Sequence, residues 1–292
     1  LFQVASTYGI GATTGRKVVF HNFDKIHTTL QQYSFSHHNG IYRKLPLVQF
    51  NKFKSASVVS EDITDSQVYL KRVVSEVRNC SHKKVTLDGY FESWKYFHHI
   101  RPTIVDLFSI DSNTLNTLEE EHPILFDNSY TRVAVHVRQN YGSINYKTSF
   151  FTHVMDMCRK RIDSSSRVYS SGSLTATSRV YSSGSNVVFI FFSNKIDWCK
   201  AEFSGDDIYF IHYENDYQDL WAMTFCHEYI LNHSTLGWWG SYLSQNYPAK
   251  TYYPKDVFRI YLGSLNSSAI QYKERMEDHY LPDWECIDYP AF

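Results

Sequence analysis

Three short stretches hold residue types that can handle an anion. His136-Val137-Arg138 sets an imidazole and a guanidinium two residues apart at the end of an apolar run. An Arg at the C-terminal edge of a strand can grip a pyrophosphate through two parallel hydrogen bonds, and a His beside it can bond a base or a phosphate. Taken alone the triplet is common, and its bland reading is a surface Arg next to a satisfied core His. Asn232-His233-Ser234-Thr235 stands between a strand pattern and a helix pattern. Ser234 is a good N-cap, and the N–H groups of the turn it opens form an anion site, although capping without a ligand uses the same residues. Asp219 falls in the first turn of the preceding helix, where the helix dipole alone favours a carboxylate. It can equally accept from the N–H groups of a purine edge, and position does not choose between the two uses.

Other chemistries leave no trace. There is no P-loop, HExxH, GxSxG or complete GxGxxG, and no DxD pair of the kind that holds Mg²⁺ on a nucleotide-sugar. Asp206 and Asp207 are adjacent and read as the solvated start of a strand. The five cysteines, Cys80, Cys158, Cys199, Cys226 and Cys286, include no CxxC spacing, so no structural zinc site is expected. Cys199 and Cys226 read as buried thiols; Cys80 and Cys286 lie in polar surroundings open to oxidation in a secretory compartment. Sequons at Asn79, Asn232 and Asn266 are as many as this composition yields by chance.

The elements that position these stretches follow from periodicity. From residue 131 onward, short buried strands at 133–137, 187–192, 208–211, 229–231 and 251–253 alternate with helices at 150–161, 197–203, 217–226 and 235–243. Such alternation implies right-handed crossovers and a parallel sheet covered on both faces, a doubly wound domain whose ligand site lies beyond the strand C-termini. Upstream, residues 1–14 read as an amphipathic helix stopped by Gly15, with a short strand at 18–20. A helix capped by Asp65, a strand at 85–91 and a mostly helical stretch at 94–108 follow. The unit RVYSSGS occurs at 167–173 and again at 179–185, a polar tandem with nothing to bury, read as a flexible insertion spanning 164–185.

Composition narrows the class. The 292 residues are 43% apolar and 20% charged, enough for a sizeable core. Lys plus Arg number 29 and Asp plus Glu 30, so no broad basic footprint for nucleic acid or anionic membrane is present. No stretch approaches the ~18 apolar residues of a membrane span, and no signal segment opens the chain. A membrane link is expected only through an anchor upstream of Leu1. The aromatic content, 17%, suits sugar or base stacking but is also ordinary core material. Trp238 and Trp239, on one helix, are expected to pack rather than to present a sugar platform.

Together these pieces resemble the inverting α-1,2-fucosyltransferases of the glycosyltransferase family 11 type. Leu1-Phe2-Gln3-Val4-Ala5, Tyr8-Gly9-Ile10 and Gly15-Arg16-Lys17 are similar to the family's LFQYA…YG…GRK segment, and Leu87-Asp88-Gly89-Tyr90-Phe91-Glu92-Ser93 to its LDGYFQS stretch. His136-Val137-Arg138 corresponds to the start of HxRRxD, and Phe192-Ser193 through Trp198-Cys199 to FSDDxxWC. Asp219-Leu220, Met223, Cys226, Ser234-Thr235 and Trp238-Trp239-Gly240 resemble the DLxLMxxC…NSTFSWWG block, and Pro254-Lys255 the closing PK. The resemblance implies a GT-B-like α/β architecture of two Rossmann-like lobes, an acceptor-side lobe over 1–130 and a donor-binding lobe over 131–260, with 261–292 as a tail packing back on them. It implies metal-independent transfer of fucose from GDP-fucose to the 2-hydroxyl of a galactose-terminated glycan, with no cofactor, in the Golgi lumen if the source is eukaryotic. By position, Arg138 would neutralise the departing diphosphate, His136 and Asp219 would hold guanine, and Ser234 and Thr235 would meet phosphate oxygens. Asp88 and Glu92 would be the carboxylates available as general base.

The chain also departs from the family's pattern. Gln139 stands at the second Arg of HxRRxD, and Tyr141 at its Asp. Asn194-Lys195 replace the acid pair of FSDD, His233 replaces an Asn, and the family's Gly/Asn-rich loop would precede Leu1. The alternative to an active transferase is therefore a weak or inactive relative that binds GDP-fucose or glycan. On the sequence alone, Gln139→Arg, which restores the family's pair, is expected to raise turnover if the departure has weakened the enzyme.

Overall fold

A computed structural model describes residues 1–21, 40–48, 57–62, 67–139, 145–169, 186–255 and 269–291. The chain divides into two compact units, Leu1–Ser109 with Leu262–Pro282, and Ile110–Tyr261 with Asp283–Phe292. The N-terminal stretch of the first unit ends near residue 110, and the tail contributes 262–282 to the first unit and 283–292 to the second.

In chain order the elements are α1 (Phe2–Thr14), β1 (Phe20–His21), β2 (Leu47–Val48), β3 (Ser57–Ser60), α2 (Lys71–Asn79), β4 (Val85–Asp88), α3 (Arg101–Leu107), α4 (Ser112–Glu121), β5 (Tyr130–Val137), α5 (Thr148–Tyr169), β6 (Asn186–Ser193), α6 (Ile196–Glu202), β7 (Ile208–Phe210), α7 (Asp216–Thr224), β8 (Glu228–Ile230), α8 (Thr235–Tyr242), β9 (Lys250–Pro254), α9 (Ala269–His279) and β10 (Glu285–Ile287).

In the first unit α1 buries Phe2, Val4, Ala5 and Ile10 and ends at Gly15, whose φ of 70° is the left-handed conformation that favours glycine. Arg16 then caps α2: its guanidinium donates to the carbonyls of Val77 at 3.0 Å and His82 at 2.9 Å, with Cys80 between them. A cation meeting the last carbonyls of a helix satisfies orphan acceptors and the helix dipole together. Among the described residues the strands of this unit form two parallel pairs, β1–β2 and β3–β4. The tail helix α9 belongs here through Asp278, which accepts from Tyr69 N at 2.6 Å, pairs with Lys95, and lends its carbonyl to Ser93 Oγ at 2.6 Å.

The second unit is built on one six-stranded, all-parallel sheet in the order β10-β9-β8-β5-β6-β7. β5 lies inside the sheet and is buried from Thr131 onward because helices cover both faces. Val133, Val135 and Val137 pack on the α5 side against Phe150, Phe151, Val154 and Met155, with Phe189 and Phe191 of β6 beside them. The intervening His136 faces α8, where a Cβ on Gly237 would lie 2.9 Å from its ring. Trp238 and Trp239 are 1% exposed and pack as expected.

The α/β alternation after residue 131 matches the expected elements to within a few residues. Helix α5 is longer than the periodicity gave, continuing through Tyr169 into the insertion; residues 170–185 lie outside the described residues, as do Asp65 and Tyr141. The strand expected at 85–91 stops at Asp88, because Gly89 and then Phe91 take positive φ, 158° and 52°. All five cysteines are free thiols, with Cys158, Cys199 and Cys226 buried.

Helix α1 reaches its neighbours through a glycine. A Cβ on Gly9 would fall 2.0 Å from the Tyr96 carbonyl oxygen and 2.7 Å from Phe97 Cα, both backbone atoms that cannot step aside. Alanine favours a helix by about 1 kcal/mol over glycine, yet overpacking costs about 1–3 kcal/mol. Gly9→Ala is therefore expected to lower the urea midpoint. A variant as stable as the parent would show that α1 does not pack this closely.

Candidate functional site

The sheet order of the second unit fixes where a ligand can approach. The chain runs outward from β5 through β6 to β7, then returns to the other side of β5 as β8, β9 and β10. The connections leaving β5 and β8 therefore part in opposite directions, and this switch point opens a crevice beyond the strand C-termini. β5 delivers His136, Val137 and Arg138 to that edge, and β8 delivers Asn232, His233, Ser234 and Thr235. Four of the residues expected at a donor site thus meet at one place in the fold.

Asn232 ties the two strand ends together. Its Nδ2 donates to the Arg138 carbonyl at 3.0 Å, so its Oδ1 faces His136 Nδ1 at 3.3 Å. An amide oxygen only accepts, and this places the proton of a neutral imidazole on Nδ1 and leaves the lone pair on Nε2. Neutrality follows from burial, which pushes the His136 pKa down to about 4. Burial does the same to His233. Both side chains favour the fold fully above the ordinary His range, and that contribution is lost as pH falls from there toward 4.

The residues that depart from the family's pattern are part of the same framework. Asn194 brackets Gln139: its Oδ1 accepts from Gln139 N and its Nδ2 donates to Gln139 O, each at 3.1 Å. The buried Gln139 side chain repeats this with Tyr146, accepting from Tyr146 N at 2.8 Å and donating to Tyr146 O at 2.9 Å. The Tyr146 hydroxyl in turn accepts from His233 N at 2.8 Å, which closes the ring of contacts back to the β8 end. Sequence reasoning missed Asn232 and Tyr146, and took Gln139 and Asn194 as lost charges rather than as amides with both a donor and an acceptor in use.

Ser234 occupies the N-cap of α8 in extended conformation, and its side chain makes no capping bond. The N–H groups that open α8 lie at this edge, Ser234 and Thr235 stand at that helix start, and Arg138 is half-buried beside the β5 end. Asp219 lies apart from this bonded framework. It is buried in the first turn of α7, accepts from Tyr213 N at 2.9 Å, and stands 3.6 Å from His212 Nδ1. Burial pushes its pKa up to about 7. A cavity of about 610 Å³ reaches the same strand edge, lined by Asn194, Lys195, Trp198, Lys200, Phe210 and His212. Asp88 and Glu92 belong to the first unit. Asp88 is exposed at the end of β4, whereas Glu92 accepts from Gln67 Nε2 at 2.8 Å, and burial raises its pKa. Among the described residues no group of three His, Cys, Asp or Glu side chains is placed to hold a metal ion.

These features define an α/β protein with a six-stranded parallel sheet and a crevice at its topological switch point. The sequence model of glycosyl transferase family 11 matches residues 17–288, and the chain belongs to that family. It is 26% identical over 202 residues to an alpha-1,2-colitosyltransferase of Escherichia coli, covering 68% of this chain and 62% of that one. It is 27% identical over 224 residues to galactoside alpha-(1,2)-fucosyltransferase 2 of Hylobates lar, covering 73% and 58%. The chain thus spans about three-fifths of the length of these relatives. The crystal structure of fucosyltransferase NodZ from Bradyrhizobium aligns over 83% of this chain and 88% of that one, with 12% identity and a TM-score of 0.45. No helix among the described residues is long and apolar enough to cross a membrane.

The framework reverses the expectation for Gln139→Arg. A guanidinium donates but cannot accept, so it would leave Tyr146 N–H unpaired and bury a cation where a neutral amide now fits. An orphaned buried group costs about 1–3 kcal/mol. The variant is expected to melt at lower temperature and to show no gain in nucleotide affinity. Unchanged stability with tighter GDP binding would show that residue 139 faces the ligand.

Proposed function

We propose that this protein transfers L-fucose from GDP-fucose to the 2-hydroxyl of a terminal β-galactoside, with inversion and without a divalent metal. The observation that carries the reading is the convergence of His136 and Arg138, from β5, with Ser234 and Thr235, from the start of α8, at the switch point of a parallel sheet. Family membership supports it, as do the activities for which the similar proteins are named.

In this reading the diphosphate lies against the N–H groups and hydroxyls of Ser234 and Thr235, and Arg138 meets the β-phosphate. The acceptor oxygen attacks the fucose C1 from the face opposite the leaving group. The C1–O bond breaks with its electron pair going to GDP, and the hydroxyl proton goes to a carboxylate. Asp88 is the more accessible of the two candidate bases; Glu92 is engaged with Gln67. Charge develops on the departing diphosphate, and a fixed guanidinium there stabilises the transition state more than the ground state. The lone pair that Asn232 leaves on His136 Nε2 suits an N–H donor of the guanine edge. An ionised Asp219 would accept from such donors as well.

Arg138→Ala is expected to lower kcat/KM by roughly a hundredfold or more, the scale for losing one electrostatic donor to a developing charge. Arg138→Lys should recover part of the loss, since an ammonium lacks the planar fork. In the same assay, GDP release from GDP-fucose with a β-galactoside acceptor, EDTA should leave the rate unchanged. Near-parental kinetics in folded Arg138→Ala would contradict the assignment, as would a rate abolished by EDTA and restored by Mn²⁺.

A further inference from the structure

Among the described residues, the large apolar side chains left exposed are Val58 and Tyr90, and Tyr90 is 49% exposed. Tyr90 differs from an ordinary surface aromatic in how firmly its backbone is held. The buried Glu61 carboxylate accepts from Tyr90 N at 2.9 Å and from Phe91 N at 2.6 Å. On either side, Gly89 O accepts from Gln3 Nε2 at 2.6 Å and Phe91 O from Ser6 Oγ at 2.8 Å, both donors standing on α1. Phe91 has a φ of 52° with its ring 1% exposed, a conformation an L residue with a bulky side chain adopts only under constraint. Gly89 has a φ of 158°, and a Cβ there would lie 2.6 Å from Glu61 Cβ. Three side chains of the first unit, two on α1 and Glu61 just past β3, thus hold one turn, which leaves Tyr90 half exposed two residues after the exposed Asp88.

From this geometry we propose that Tyr90 is a stacking platform for a pyranose ring of the acceptor, with Asp88 accepting from that sugar's hydroxyl groups. The inference rests on the transferase reading above, which supplies a sugar acceptor and a carboxylate for its reacting hydroxyl but no surface for its ring. The face of a pyranose presents several C–H groups that pack on an aromatic ring, and the hydroxyls at its rim need acceptors in the ring plane. An exposed tyrosine on a mobile turn would lose that contact to ordering entropy; a turn clamped by Glu61, Gln3 and Ser6 has already been ordered by folding.

The test is saturation-transfer NMR of methyl β-D-galactoside on the whole protein, together with acceptor KM for the same sugar and GDP affinity by calorimetry. Tyr90→Ala is expected to weaken the galactoside signal and raise acceptor KM about tenfold, while GDP affinity stays within twofold of the parent. Tyr90→Phe, which keeps the ring, should recover most of the loss. An unchanged acceptor KM in Tyr90→Ala, or no galactoside binding to the parent when GDP does bind, would overturn the platform alone. Absence of GDP binding to the parent would instead strike the transferase reading. A parallel loss of GDP affinity in Tyr90→Ala would show that the turn is structural, and that too would overturn the proposal.

Discussion

The site depends on the amide of Asn232. Beyond the last paired residues of β5 and β8 the sheet's own hydrogen bonds run out, and the two chains leave in opposite directions. Asn232 replaces the missing ladder, donating to the Arg138 carbonyl and accepting from His136. An ionised carboxylate at this position could accept from His136 but could not donate to the Arg138 carbonyl, and would leave that strand end untied. The same bond ties the β5 end that carries Arg138 to the segment that leads into α8. Gly237 completes the arrangement by letting α8 close against the imidazole, where any side chain would collide.

Around that bond the chain's unusual residues form a neutral framework. Gln139, Asn194 and Tyr146 exchange paired hydrogen bonds in which every amide donates and accepts. An Arg–Asp combination would hold the same backbone with charges, which are costly to bury unless fully paired. The amides avoid that cost and leave Arg138 as the cation at the crevice from this strand end. The departures from the family's pattern are therefore read as a change in how the edge is braced.

The doubly wound unit was legible because its strands are nearly continuous apolar runs and its connections are short, so periodicity alone sorted strand from helix. β10 was not: of its three residues only Ile287 is buried, and its pairing with β9 comes from tertiary contact rather than local pattern. Helix α4 buries Leu118 alone, and its signal was the Asp111 cap, whose Oδ1 accepts from Thr114 N at 3.0 Å. His136, Arg138, Ser234 and Thr235 could be read as a site because each sits at a strand or helix edge. The framework could not, since its partners are separated by as many as 96 residues in sequence and polar side chains give no periodic signal. Asp88, Glu92 and Asp219 were named by resemblance; the structure gives each a distinct environment, exposed, hydrogen-bonded to Gln67, and buried near His212.

The most direct test of the central claim is a crystal structure of the protein with GDP. The account expects diphosphate oxygens at about 2.7–3.2 Å from the N–H groups and hydroxyls of Ser234 and Thr235, with the Arg138 guanidinium on the β-phosphate and the Asn232 bonds intact. A diphosphate seated away from the β5 and β8 ends, for instance against Lys195 and Lys200, with Arg138 making no contact to it, would contradict the account.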